Sequence, residues 1–202
     1  MKKLKEANSG LYLAPLRLLA LEGYEDLKES NIDASLITGE EQILNEDAAH
    51  ICSTIEMIDF DLEVDVAVID EVQMLEDIDR GWAWVNAIIG VPAKKVIMTG
   101  SVNALEAVKK IVQYLDEELE VVRHKRKNPL LVLQKWTPLE KLENGTALIA
   151  FSRAEVLKLK QKLQKKYSVS VIYGNLSPEV RRDEARRFRD GQTQILIATD
   201  AI

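Results

Sequence analysis

The 202-residue sequence predicts an α/β fold in which parallel sheets are flanked by helices. Three observations predict it. Short runs are almost continuously Val, Ile and Leu, as in strands buried on both faces. Apolar residues between these runs recur at helical spacing. Run and helical segment alternate along the chain, the order that builds parallel sheets. The predicted strands are residues 11–14, 64–69, 95–99, 120–123, 147–151, 170–173 and 194–198. Residues 1–8 are polar and permit a helix. Leu105, Val108, Val112 and Leu115 share one helix face, as do Val156, Leu159 and Leu163. A helix over 178–189 has the clearest start: Ser177 can cap it, Pro178 suits its first position, and Glu179 complements the positive end of its dipole.

Composition narrows the function classes. No apolar stretch approaches the ~18 residues a membrane span needs; Asn and Pro interrupt even residues 82–93. The single cysteine, Cys52, rules out an internal disulfide and has no metal-ligand spacing around it. No targeting signal is visible in residues 1–8. Residues 1–128 hold 14 Lys+Arg against 25 Asp+Glu, whereas residues 129–202 hold 13 against 8. That asymmetry suggests two domains with different partners, 1–128 and 129–202, joined through the basic, Pro-containing stretch 124–129.

The most informative chemistry lies at residues 66–71, an apolar strand ending in Asp70 and Glu71. Ligands of open parallel sheets bind at the carboxyl ends of strands, so paired acids there sit where a nucleotide and its metal would be. Asp70 suits Mg2+ held through its water shell, and Glu71 suits orienting and deprotonating an attacking water. Gln73, the strand end Thr99-Gly100-Ser101 and the strand end Ala198-Thr199-Asp200 place further polar groups at such edges. Turns rich in Gly, Thr and Ser also suit a sequence-independent grip on phosphates and sugars. Arg181, Arg182, Arg186, Arg187 and Arg189 offer either a positive face for a nucleic-acid backbone or a solvated face paired with Asp183 and Glu184. Trp82 and Trp84 are expected as core anchors, and His50, His124 and Cys52 as structural residues.

Several runs carry a family resemblance. Tyr12-Leu13-Ala14-Pro15-Leu16-Arg17-Leu18-Leu19-Ala20-Leu21-Glu22 comes first, then Ile37-Thr38-Gly39-Glu40-Glu41 and Ser53-Thr54-Ile55-Glu56-Met57. Val68-Ile69-Asp70-Glu71-Val72-Gln73-Met74 and Arg80-Gly81-Trp82-Ala83-Trp84 follow, with Phe151-Ser152-Arg153, Val171-Ile172-Tyr173-Gly174 and residues 195–202 in the second half. In order and spacing they resemble the suppressor-of-var-three family of superfamily-two RNA helicases. The resemblance implies two RecA-like domains and RNA unwinding coupled to hydrolysis of ATP with Mg2+. It implies that Asp70 binds the metal, Glu71 is catalytic, and Gln73 links ATP state to domain closure. Pro15, Leu16 and Arg17, and Thr38, Gly39 and Glu40, would touch the RNA sugar-phosphate backbone. Thr99, Gly100 and Ser101 would form the coupling element, while Phe151, Ser152 and Arg153, and Thr199 and Asp200, would line the RNA path on the second domain. RNA is the implied partner, with DNA as the alternative, together with an exoribonuclease such as polynucleotide phosphorylase. The implied compartment is the mitochondrial matrix in a eukaryote and the cytoplasm in a bacterium.

The sequence departs from this pattern in one respect. Residues 1–202 contain no Gly-rich loop ending in Gly-Lys-Ser/Thr, and no arginine-finger motif follows Asp200 within them. The expectation is a first domain lacking its N-terminal strand and phosphate loop, a second domain incomplete at its C-terminus, and a chain that is inactive alone and marginally stable. A non-hydrolysing RNA-binding or scaffold protein on a degenerate helicase core is the alternative.

Overall fold

In the computed structural model, which describes residues 1–125 and 130–199, the alternating segments fold as two units, Met1–Val121 and Val122–Ile202. Asp200 and the expected boundary between residues 128 and 129 lie outside the described residues.

The first unit is built on a six-stranded sheet. Its strands are β1 (Gly10–Ala14), β2 (Ala34–Ile37), β3 (Gln42–Ile43), β4 (His50–Thr54), β5 (Val64–Ile69) and β6 (Ala93–Met98), in spatial order β3-β2-β4-β1-β5-β6. All neighbours are parallel except the short β2–β3 pair. Central β1 shows why its run of apolar residues is needed. Leu11 and Leu13 enter one core with Ala67 and Ile69 of β5, beneath α3 (Gly81–Gly90) and α4 (Leu105–Tyr114). Tyr12 and Ala14 enter the opposite core with Val66 and Val68, beneath α2 (Arg17–Glu29). Successive side chains of a strand point to opposite faces, so both faces of the sheet are filled.

Residues 1–8 contribute one helical turn, α1 (Lys2–Lys5), whose Leu4 is fully buried. Gly10 makes room for it, since a Cβ there would stand 2.5 Å from Leu4 Cδ1. Strands β2 to β4 have no counterpart among the predicted runs: β2 and β3 span only four and two residues, and β4 carries His50, Ser53 and Thr54. His50, Ser53 and Thr54 are buried, with the His50 ring bonded to the Leu4 carbonyl at 3.0 Å and Ser53 Oγ donating to the Thr54 carbonyl. Hydrogen bonding within the fold offsets the desolvation that such residues would otherwise cost. Cys52 is buried as expected, and burial pushes its thiol up to about 12.

The predicted strand 120–123 is absent, for residues 121–125 have no regular structure. Val121 and Val122 are exposed there, between the acids 116–118 and 120 and the basic residues that follow, and have no apolar surface to cover.

The second unit carries a parallel three-stranded sheet of β7 (Thr146–Ile149), β8 (Val169–Ile172) and β9 (Ile195–Ala198), in order β7-β9-β8. The helix α5 (Arg153–Leu163) packs Val156 and Leu163 against Val171, Ile195 and Ile197. The helix α6 (Pro178–Arg189), at the residues predicted, covers Ile172, Leu196 and Ala198 with Ala185 and Phe188. Ser177 caps it as expected, accepting from Val180 N–H. Glu184 reaches from α6 to accept the N–H of Val171 on β8 at 2.9 Å, and Arg187 pairs with the same carboxylate at 2.7 Å. Arg186 pairs with Asp183, while Arg181 is buried rather than part of a solvated face.

Candidate functional site

Strand β5 delivers Ile69 into the core and ends, and the two acids follow at once. Asp70 is held from every side. Its Oδ2 accepts the Tyr12 phenol at 2.8 Å, and its Oδ1 accepts the Glu71 N–H at 3.0 Å and the Thr99 hydroxyl. The backbone of Asp70 is fixed as well: its N–H donates to the Leu13 carbonyl, and its carbonyl accepts from Trp84 Nε1 at 2.8 Å. Parallel pairing of β1 with β5, which sets Tyr12 opposite Val68, brings the phenol to this carboxylate. Burial, and after it the charge of Asp70, pushes the Tyr12 phenol well above the usual tyrosine range, so it remains a donor.

Glu71 has φ 53° and ψ 49°, the left-handed conformation, which costs a non-glycine residue of order 1–3 kcal/mol. This turn starts the 3-10 helix Val72–Glu76 and lets Gln73 double back. Gln73 Nε2 donates to Glu71 Oε2, while Gln73 Oε1 accepts the Ser101 N–H at 3.0 Å. One side chain therefore joins the second acid to the turn after β6. That turn lies close because residue 100 is glycine: a Cβ would stand 2.6 Å from Gln73 Oε1 and 3.0 Å from the Val72 nitrogen. The Thr99 carbonyl accepts from Val72 N–H and the Thr99 N–H donates to Ile69, fastening the two strand ends together. All six residues predicted at positions 70, 71, 73, 99, 100 and 101 are thus assembled into one cluster.

A second group lies along the same carboxyl edge. Pro15 and Leu16 form the turn from β1 into α2, which Arg17 begins. Thr38, Gly39 and Glu40 follow β2, where the Thr38 hydroxyl donates to the Glu41 carbonyl and accepts the N–H groups of Glu40 and Glu41. Arg17 and Glu40 form an ion pair, so the two predicted nucleic-acid turns are tied to each other although β4 separates their strands.

In the second unit, Ser152 caps α5 by accepting from Glu155 N–H, and Glu155 returns a carboxylate to the Phe151 N–H at 3.1 Å. This reciprocal cap fixes the loop. Phe151 is 94% exposed and Arg153 lies 5.5 Å from the Tyr173 ring centre. Thr199 donates its N–H to the Ile172 carbonyl at the end of β8. Asp200, predicted beside it, is not among the described residues.

Of the two tryptophans expected in the core, only Trp84 is there, fully buried; Trp82 is 57% exposed. Positions two apart on α3 point about 200° apart around its axis, so one helix face cannot bury both. Sequence reasoning gave no role to Tyr12, Glu56 or Arg80. A tyrosine in an otherwise aliphatic strand, beside a strand ending in acids, is a signal that could have found the first. Glu56 and Arg80 lie in two of the runs that carry the family resemblance, but their meeting depends on how α3 packs.

The acceptor-only carboxylate oxygens of Asp70 and Glu71 at a sheet's carboxyl edge are the hard donors that suit Mg2+ rather than a softer metal. Among the described residues no helix is long and apolar enough to cross a membrane.

Comparison with known proteins identifies the family. Residues 1–124 match the family described as the DEXQ-box helicase domain of Suv3, and residues 128–202 match the helicase conserved C-terminal domain. The mitochondrial ATP-dependent RNA helicase SUV3 of Saccharomyces cerevisiae is 39% identical over the whole chain, which covers 29% of that protein. The Candida albicans SUV3 is 40% identical over 99% of this chain and 29% of its own length. The mitochondrial ATP-dependent RNA helicase SUPV3L1 of Gallus gallus is 36% identical over the whole chain and 26% of its own length. Among solved structures, Mycobacterium smegmatis helicase Lhr bound to ssDNA and AMP-PNP superposes with a TM-score of 0.69 at 15% identity, covering 96% of this chain and 34% of that one. S. cerevisiae Dbp5 bound to RNA and ADP BeF3 gives 0.64 at 19% identity, covering 97% and 59%. These two establish the fold, that of RecA-like helicases.

Proposed function

The chain belongs to the Suv3 family of DEXQ-box helicases, and from that premise we propose that it forms part of an ATP-dependent RNA helicase whose hydrolytic acids are Asp70 and Glu71. It spans less than a third of the length of the curated relatives it matches. The reading is carried by one observation, that Gln73 joins Glu71 to Ser101 while Asp70 is held by three donors.

Asp70 would hold Mg2+ with ATP through the ion's water shell, and the ion would neutralise phosphate charge. Three donors on Asp70 fix the direction of its lone pairs before any ligand arrives, the preorganisation that charge stabilisation requires. The Glu71 carboxylate takes the proton of an attacking water. Protonation weakens the carboxylate as an acceptor for the Gln73 amide, and Gln73 passes that change to the turn 99–101 through Ser101 N–H. Pro15 to Arg17 and Thr38 to Glu40 grip the RNA backbone in the first unit; Phe151 to Arg153, with Thr199 and Asp200, do so in the second. Backbone N–H groups and hydroxyls at these turns grip phosphate and sugar rather than base edges, which suits movement along any sequence, RNA before DNA. The names of the relatives place them in mitochondria, and the same compartment follows for a eukaryotic source, the cytoplasm for a bacterial one. An RNA-degrading partner, polynucleotide phosphorylase or another exoribonuclease, extends the same reading.

The test is Glu71→Gln in the full-length protein. RNA-stimulated ATPase is expected to fall by about 10³ or more, with nucleotide binding retained. Equal, measurable rates in wild type and variant would remove Glu71 as the hydrolytic acid, and absence of ATPase in both would favour a non-hydrolysing RNA-binding or scaffold protein.

A further inference from the structure

Beyond the cluster around Asp70, one side chain touches the ends of two neighbouring strands and rests on a residue that holds a third. Arg80 immediately precedes α3, its backbone N–H fixed by Asp77 Oδ1 at 2.8 Å. Its Nη2 donates to the Pro15 carbonyl at 2.6 Å, just past the end of β1. Its Nε and Nη2 both meet Glu56 Oε1, at 2.7 and 2.6 Å, just past the end of β4. Its guanidinium carbon lies 5.5 Å from the ring centre of Trp84. Trp84 in turn donates its Nε1 hydrogen to the carbonyl of Asp70, at the end of β5. Strands β4, β1 and β5 are consecutive in the sheet, so this Arg-Trp pair stitches together the edge that carries both the Pro15 turn and the acid pair.

We propose that Arg80 is a positioning residue that couples occupation of the Pro15–Arg17 turn by RNA to the setting of Asp70 and Glu71. The inference rests on the reading of the chain as part of an RNA-stimulated ATPase. A trans peptide is planar, with its C=O and N–H pointing opposite ways, so the grip on the Pro15 carbonyl also sets the direction of the Leu16 N–H. Any shift of that peptide as the turn closes on a phosphate pulls the guanidinium. Glu56 holds the guanidinium from a second side, so its plane must tilt rather than slide. Trp84, fully buried beside it, carries the tilt to the carbonyl of Asp70. A lysine cannot reproduce this. Its ammonium keeps the charge but has no planar fork to hold Glu56 and Pro15 together while lying on a ring.

The experiment compares full-length wild type, Arg80→Gln and Arg80→Lys by ATPase rate without RNA, ATPase rate with saturating oligouridylate, and thermal melting. The ratio of the two rates is the readout, because a merely structural role would lower both together. We expect the ratio to fall about tenfold in both variants, with the RNA-free rate kept within about twofold. A wild-type ratio in a folded Arg80→Lys protein overturns the proposal, and so does a parallel loss of both rates. If Arg80→Gln fails to fold, Arg80→Lys carries the test, since it retains charge and most of the side chain. Absence of RNA stimulation in wild type itself removes the functional reading and the coupling with it, an outcome distinct from a variant that behaves as wild type.

Discussion

Tyr12 places a buried hydroxyl against the carboxylate proposed to hold Mg2+. Its ring is confined by Gly23, where a Cβ would approach to 2.6 Å, so the phenol cannot swing away without opening the packing of α2 on the sheet. Tyr12→Phe keeps the ring and deletes only the donor. The loss of one hydrogen bond to a charged acceptor is worth about 1.5–3 kcal/mol, and here it falls on the orientation of Asp70. In the full-length protein the Mg2+ concentration giving half-maximal ATPase is expected to rise about tenfold or more, with RNA affinity unchanged. An unaltered Mg2+ dependence would show that Asp70 is adequately held by Thr99 and the Glu71 N–H alone. The acid pair stood out in the sequence through its context, since Gln73 and the polar strand ends at 99–101 and 198–200 accompany an apolar strand that ends in two carboxylates. Tyr12 was not, because its role arises from the register of β1 on β5, and register is a property of the sheet rather than of either segment.

At the scale of elements, α3 shows how composition misleads when two similar residues lie two apart. Trp84 is fully buried, packed in one core and bonded to Asp70, whereas Trp82 turns outward. Trp84→Ala should therefore destabilise the first unit by about 3–5 kcal/mol, and Trp82→Ala by no more than about 0.5. Chemical denaturation of the two variants checks the contrast, and similar losses would contradict the placement of α3. Strands β1, β5, β6 and the three of the second unit were legible because each carries adjacent aliphatic residues, such as Val96 and Ile97 in β6 and Ala147 to Ile149 in β7. Strands β2, β3 and β4 were not. His50, Ser53 and Thr54 look like loop residues until their partners are known, and β3 has only two residues. Conversely, Val121 and Val122 look like the start of a strand but are exposed and without regular structure.

At the scale of the molecule, an acidic first half and a basic second half stand in one chain. The chain as a whole is acidic, with net charge −6, so affinity for RNA must come from local geometry rather than from bulk attraction. Binding of the full-length protein to oligonucleotides is expected to weaken with salt, the slope of log affinity against log salt being about −0.7 per phosphate contacted. It should vary little with base sequence, which titrations of labelled uridine-rich and mixed oligonucleotides measure; a preference of about 10³ or more for one sequence would contradict backbone recognition. The division into two α/β units was legible from charge and alternation, whereas the tie between the two predicted nucleic-acid turns, Arg17 with Glu40, required the fold. In the second unit, the carboxylate of Glu184 seated on the outward amide of β8 has an effect beyond local packing. An incoming strand would have to evict it and strand its charge beside a sheet edge, so β8 is closed to strand addition. A strand edge whose amide is already taken by a carboxylate is a poor template for pairing with another chain.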